Sequence, residues 1–403
     1  MNQLSKMMLA AVASVAIAAP AFAWTFGASG TSTANFNSTS TTATTGATAL
    51  SSGGVTSSAS SLKLSSSHTD GTKTLSLSYT LDWDGNLDET IALSGASTVG
   101  AWTASGDISY NRDRPGCYQG DNGTAVTTNA ATAGCQGQTG EDTTAVTLTD
   151  GTMTIKLGDA SHLSGQNVSS SGAAAGAITM NSSGMDASVG AAVDGFHGVS
   201  LGYKISDTMS ATVAYQTSSD AGDMMGAGAY QDGEKTHGTS GFGLGFSGTF
   251  GPATIGFTQA SATTANADGT AANDLLSTSS STMGLGVKID LGDIDPFISY
   301  GSFTSDGASS KNGLATSGSE FGLTYALGSD SVVIYIGSTE ETVTKAGTAG
   351  KPLSKSAMEL GYNTMVGPAS LKVGYGSQTH AQTDGATDGY SMTDIEVALS
   401  YSF

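Results

Sequence analysis

The residues able to do chemistry are few and widely spaced. The five histidines, His68, His162, His197, His237 and His380, share no spacing with one another or with a serine or carboxylate. A hydrolase built on a membrane protein needs an Asp/His or His/Ser constellation, and none is legible, so no catalytic residue is assigned. The GxG patterns, such as Gly241-Phe242-Gly243, fall inside segments of strand character and not at a strand-to-helix junction, which argues against a phosphate loop. Cys117 and Cys135 stand in one Gly/Thr-rich stretch with no histidine or further cysteine beside them, so no metal site and no cofactor is expected. The charges that do show a pattern are lysines. Lys63, Lys156, Lys204, Lys288 and Lys372 each stand between two apolar residues, as in Leu62-Lys63-Leu64 and Ile155-Lys156-Leu157. Such charges order water and screen ions without breaking a bond.

The elements that must position them read as strands. In the last nine residues, Ile395, Val397, Leu399, Tyr401 and Phe403 form one face, while Glu396, Ala398, Ser400 and Ser402 form the other. Ten-residue segments with this period recur backwards along the chain, near 392–403, 369–379, 355–365, 331–341, 317–327, 295–304, 281–290, 252–260, 239–249, 210–218 and 197–205. Earlier candidates lie near 24–30, 59–68, 72–83, 89–98, 101–110, 143–149 and 152–158. The joins alternate short and long. The short ones, such as Val366-Gly367-Pro368, Gly328-Ser329-Asp330, Gly251-Pro252 and Ser206-Asp207-Thr208, are made of tight-turn residues. The long ones, near 219–238, 261–280 and 342–354, are polar and acidic.

Composition narrows the class. The chain has 56 glycines in 403 residues, 14 Lys plus Arg against 34 Asp plus Glu, and a formal net charge of −20, which disfavours a nucleic-acid partner. Its 38% hydrophobic share is patterned, which separates it from acidic disordered chains. At the amino terminus, Lys6, the apolar run 7–19 and Ala21-Phe22-Ala23 read as a secretory signal over 1–23, with the mature chain, 24–403, opening at Trp24. No other stretch has the roughly 20 apolar residues that a spanning helix requires. Strands that cross a bilayer must close into a barrel, because backbone groups in hydrocarbon have to pair within the structure. The expectation is all-β: an antiparallel transmembrane barrel with short periplasmic turns and long extracellular loops. Its strand number is even, with sixteen favoured and eighteen the alternative.

Phase assigns the charges. With the apolar stripe toward lipid, the five lysines point inward, together with Asp82, Asp107, Glu320, Glu359 and Glu396. Outward placement of a lysine would cost about 2–4 kcal/mol at the bilayer midplane. The plainer reading of each lysine is a solvated wall residue or half of a wall salt bridge; the set as a whole carries the pore-lining expectation. Most aromatics that can be phased, among them Tyr203, Tyr215, Phe321, Tyr362 and Tyr401, fall on the lipid face as an interfacial girdle.

The segment DGTMTIKLGDAS, 150–161, resembles the strand that precedes the constriction loop of general diffusion porins, especially those of alphaproteobacterial type. The resemblance is one of layout over the mature chain and of sequence in short patches. It implies that 160–196 folds into the pore, with Asp159, His162, Asp186 and Asp194 at or in that constriction, and that the protein is a homotrimer. Two features depart from the family: this loop is rich in Ala, Gly and Ser, and the facing arginine cluster is absent, since Arg112 and Arg114 are the only arginines and fall in a surface loop over 111–142. That loop holds Cys117 and Cys135, for which an oxidising route of export favours a disulfide. The functional expectation is an outer-membrane channel for passive diffusion of ions and small hydrophilic solutes, non-enzymatic, with an acidic outer vestibule and a deeper lysine ring. Acidic loops also offer a bridge to lipopolysaccharide through divalent cations, against the plainer reading of a soluble rim. The alternatives are a substrate-specific channel, marked by a file of luminal aromatics, and a surface adhesin, marked by fixed-period repeats that the chain lacks.

Overall fold

A computed structural model describes residues 24–43, 50–83, 87–112, 140–163, 194–218, 237–266, 278–305, 313–345, 353–382 and 390–403. The expected signal segment 1–23, Asp186, Arg114 and the cysteines Cys117 and Cys135 lie outside them. The strands are β1 (Thr25–Ala43), β2 (Leu50–Asp70), β3 (Lys73–Trp83), β4 (Leu87–Val99), β5 (Trp102–Arg112) and β6 (Gly140–Thr149). They continue as β7 (Met153–Ser161), β8 (Asp194–Ser206), β9 (Met209–Ser218), β10 (His237–Phe250), β11 (Ala253–Asn266) and β12 (Thr278–Ile289). The last six are β13 (Ile294–Ser305), β14 (Gly313–Leu327), β15 (Asp330–Lys345), β16 (Leu353–Val366), β17 (Ala369–Gln382) and β18 (Tyr390–Ser402). All eighteen belong to one sheet, in which β18 pairs β1 and β1 pairs β2. Eighteen, and not the favoured sixteen, is the strand number.

Residue chemistry explains the turns. Gly328 and Gly367 adopt φ of 70° and 62°, a left-handed conformation that a side chain would strain, and each joins two strands through the shortest of connections. The Ser206-Asp207-Thr208 turn has no glycine. It is held by Lys204 Nζ, 2.7 Å from Asp207 Oδ1.

Two strands are far longer than their alternation suggests. β1 runs to Ala43 and β2 starts at Leu50, although 31–43 and 50–58 are Ser/Thr/Gly-rich with little apolar stripe. With hydroxyls on both faces the two-residue period vanishes while the strand persists. Two loop bounds are also corrected. Asp159 and Asp194 lie on β7 and β8, where Asp159 pairs His197 and Asp194 pairs Ser161 across a bulge, so neither belongs to a loop. Arg112 pairs Glu89 at the end of β5 and is likewise on a strand.

The chain divides into two compact units, one of Met1–Ser32, Ser58–Gly151 and Ser402–Phe403, the other of Thr33–Ser57 and Thr152–Tyr401. In the first, Leu75, Leu93, Ile108, Tyr110 and Val146 form an exposed apolar face. The chain terminus closes onto β1 there: Gly30 N–H donates to the Phe403 carbonyl at 2.8 Å, and Phe403 N–H donates to the Gly30 carbonyl at 2.9 Å. Trp24 stacks on His68 with ring centroids 5.1 Å apart.

In the second unit the apolar face starts at the short turns and stops abruptly. On β14 the outward residues Leu327, Tyr325, Leu323 and Phe321 give way to Ser319. On β15, Val332, Ile334 and Ile336 give way to Ser338; on β16, Tyr362, Leu360 and Met358 give way to Ser356. Ser319, Ser338 and Ser356 share one register row. Six steps from Phe321 to Leu327 at about 3.3 Å each make a band on the order of 20 Å along the strand, the scale of the hydrocarbon-facing band of outer-membrane barrels.

Candidate functional site

The opposite face of the second unit is polar, and its ionisable residues lie in layers. Glu320 on β14, Glu359 on β16, and Asp394 and Glu396 on β18 are 2%, 0%, 1% and 4% exposed. Register aligns them: Glu359 pairs Gly376, and Gly376 pairs Asp394, while Glu396 pairs Gly374. Glycine beside each carboxylate leaves room on the wall for the acidic side chain. Glu320 is held by wall hydroxyls, since Tyr335 Oη donates to Oε1 at 2.8 Å and Ser299 Oγ donates to Oε2 at 3.0 Å. Charge-assisted bonds of this kind are the stronger class and fix the carboxylate's direction.

The lysines stand nearer the short turns. Lys372 pairs Ala398 and Asn363, Lys156 pairs Ser200, and Lys288 pairs Thr254 and Phe297, all on the polar face. Lys288 Nζ lies 3.6 Å from Asp295 Oδ2, and Lys204 reaches the turn residue Asp207. That hydrogen bond, with the charge of Lys204, holds the Asp207 carboxyl below the usual aspartate range. In the first unit, Lys63 pairs Thr80 and Asp82 pairs Ser61, on the face opposite Leu62 and Leu64, and Asp107 pairs Ser94 opposite Ile108. The ten residues singled out by phase therefore all lie on the polar face of their own unit. Glu320, Glu359 and Glu396 stand in one wall, with Lys288 and Lys372 nearer the turns of that same unit.

His162 is a structural strut. Its Nδ1 lies 2.8 Å from Ser200 Oγ and its Nε2 3.2 Å from the Gly158 carbonyl. With Nε2–H donating to that carbonyl, Nδ1 accepts from the serine. His162 and Leu163, 5% and 0% exposed, thus turn the chain after β7 onto the polar side of the wall.

Sequence reasoning missed several wall residues. Asp394 is one, on the same parity as Glu396. Tyr335, Phe297 and Phe303 are aromatics on the polar face: Tyr335 pairs Glu359, Phe297 pairs Gly322, and Phe303 pairs Thr282. A Cβ on Gly322 would fall 1.6 Å from Phe297 Cε1, so that ring lies directly over the glycine backbone. The signal in β15 was masked because Val332-Val333-Ile334-Tyr335-Ile336 is apolar at every position. For Phe297, the glycine opposite on β14 was the available clue.

No family model matches the chain, and no curated protein matches it by sequence. Solved structures match by fold. DcaP, an outer membrane channel of Acinetobacter baumannii, aligns with TM-score 0.54 and 11% identity over 96% of this chain and 99% of its own. A loop-deletion mutant of OmpT, an outer membrane protein of Vibrio cholerae, aligns with TM-score 0.52 and 9% identity over 94% and 100%. Pseudomonas aeruginosa OpdQ aligns with TM-score 0.51 and 10% identity over 94% and 98%. With the eighteen-stranded antiparallel sheet and its apolar face, these likenesses define the class. The chain has the fold of an eighteen-stranded antiparallel transmembrane β-barrel.

Proposed function

We propose that the protein is a porin-like channel of a Gram-negative-type outer membrane, passing ions and small hydrophilic solutes by passive diffusion. The observation that carries this reading is the two-faced wall. One face bears the apolar band, while the other bears Glu320, Glu359 and Glu396 at mid-strand and Lys288 and Lys372 nearer the turns. A wall facing only packed protein would not carry both signs of charge in layers. Lys156 and Lys204 extend that lining, and Lys63, Asp82 and Asp107 stand on the polar face of the first unit. The inward turn at His162 supports a constriction formed by the segment that follows it. Homotrimer assembly, a Cys117–Cys135 disulfide, and contact of the acidic loops with lipopolysaccharide through divalent cations complete the proposal.

Planar-bilayer recording tests it. Stepwise conductance in KCl is expected, arriving in triplets for a trimer, together with different gel mobility before and after boiling. In a KCl gradient, the Lys156→Ala, Lys204→Ala double variant should shift the reversal potential toward cations. Unchanged selectivity removes the lysine ring from the account, and no conductance at all removes the channel.

A second reading has its own observation. Phe297 and Tyr335 place aromatic surface beside Glu320 on the polar face, with Phe303 farther along β13, which suits a channel that prefers solutes with a flat apolar part. Liposome swelling separates the two: dependence on solute size alone favours the general pore, and faster entry of an aromatic solute than of a sugar of equal mass favours selectivity.

A further inference from the structure

Where β1 meets β18, the polar wall of the second unit holds two carboxylates whose described partners are all neutral. Asn37 Nδ2 donates to Asp394 Oδ2 at 3.1 Å, and Thr39 Oγ1 lies 2.9 Å from Asp394 Oδ1 and 2.6 Å from Asn37 Oδ1. Asn35 Nδ2 donates to Glu396 Oε1 at 3.4 Å. Neither carboxylate pairs with a Lys or Arg among the described residues. Burying charge without a counter-charge is strongly unfavourable, and it is worse for two like charges on one strand face, two residues apart.

The hydrogen-bond inventory shows what is missing. Glu396 Oε2 and Asn35 Oδ1 are both buried, and neither has a hydrogen-bond partner among the described residues. With Glu396 ionised both are acceptors, so they cannot satisfy each other. They belong to one Asn–Glu pair, beside a second carboxylate whose own oxygens are occupied by Asn37 and Thr39. Water would give these oxygens donors but would leave two negative charges uncompensated. A group carrying two positive charges answers both deficits.

We propose that Asn35, Asp394 and Glu396 form a binding site for a hard divalent cation, Mg2+ or Ca2+. Glu396 Oε2 and Asn35 Oδ1 are the direct ligands, Asp394 supplies the second charge, and water fills the remaining positions. The donor set is all oxygen, which selects hard cations over zinc or copper. Among the described residues no three His, Cys, Asp or Glu side chains converge as a metal site. The ion therefore keeps several waters, as Mg2+ characteristically does, and binds weakly. Because the ligands come from the first and the last strand, occupancy fastens the two ends of the chain together.

The test needs no conductance, so it stands apart from the channel reading. Full-length protein in detergent, stripped with chelator, is unfolded by heat with ~10 mM MgCl2 or CaCl2, or with NaCl at matched ionic strength. Mn2+ binding is followed in parallel by electron paramagnetic resonance. A saturable rise in unfolding temperature with the divalent salts, and one saturable class of bound Mn2+, are expected. Glu396→Gln and Asn35→Ala should each weaken binding on the order of tenfold or more, while Asp384→Asn with Asp388→Asn, in the acidic stretch of sequence between β17 and β18, should not. An equal rise with NaCl, no saturable Mn2+ binding to the wild type, or loss of binding in the Asp384→Asn, Asp388→Asn variant instead of the seam variants overturns the proposal. If Glu396→Gln fails to assemble, Asn35→Ala and wild-type Mn2+ stoichiometry decide it.

Discussion

The contact between Gly30 and Phe403 offers a quantitative test of how the chain ends are joined. A Cβ on Gly30 would fall 2.5 Å from Phe403 Cζ, 2.9 Å from Cε2 and 2.7 Å from the Ser61 carbonyl oxygen. The ring can swing away at the loss of its packing. The carbonyl is backbone of β2 and yields only if the strand moves. Overpacking of this kind costs about 1–3 kcal/mol. Against it, Gly→Ala at an extended position gains roughly 0.4–1 kcal/mol by restricting the unfolded chain. The clash wins, and Gly30→Ala should lose about 1–2 kcal/mol net, roughly a 5- to 30-fold change in the folding equilibrium. The assay is urea unfolding in lipid vesicles, scored by gel mobility without boiling. Phe403→Ala removes only the ring. In that background Gly30→Ala should still destabilise, because the Ser61 oxygen remains. A neutral or stabilising Gly30→Ala would refute the closure geometry, and full relief by Phe403→Ala would show that the backbone contact is not limiting.

Four further outcomes follow from the wall. Leu285→Lys, on the outward face of β12, should destabilise by about 2–4 kcal/mol near mid-membrane, whereas Lys288→Leu on the polar face should shift selectivity toward cations; bilayer unfolding and reversal potentials distinguish them. Tyr335→Phe removes a hydrogen bond to the buried Glu320 carboxylate and should lower stability by about 1.5–3 kcal/mol, measured by the same unfolding assay; no change would mean that the tyrosine hydroxyl is not the partner. At the Ser206-Asp207-Thr208 turn, the Asp207 carboxyl is held below its usual range by Lys204. Its folded state is therefore favoured above the unfolded aspartate pKa, and that contribution fades as pH falls through the lowered folded value; the acid dependence of unfolding should flatten in Asp207→Asn. Because the pair is solvent-exposed, the change at neutral pH should be too small to measure.

Much of this arrangement is legible along the chain because a strand's side chains alternate, so a lysine between two leucines must face away from lipid. That rule placed Lys63, Lys156, Lys288, Lys372, Glu320, Glu359 and Glu396 on the polar face, and the turn residues around Gly328 and Gly367 set the strand boundaries. It failed where alternation is absent. Residues 31–43 and 50–58 carry hydroxyls on both faces, so β1 and β2 read too short and the strand number stayed open. Val332 to Ile336 are apolar on both faces, so the inward Tyr335 could not be phased.

By itself the sequence determined the class of fold and the face of those charges that stand between apolar residues, because both follow from local periodicity and turn chemistry. Only the tertiary structure decided which strands meet, and with it which side chains share a site. The pairing of β1 with β18 brings Asn35 to Glu396 and Gly30 to Phe403 across more than 350 residues. Local propensity carries no information about such a pairing, since closing the sheet is a property of the whole ladder.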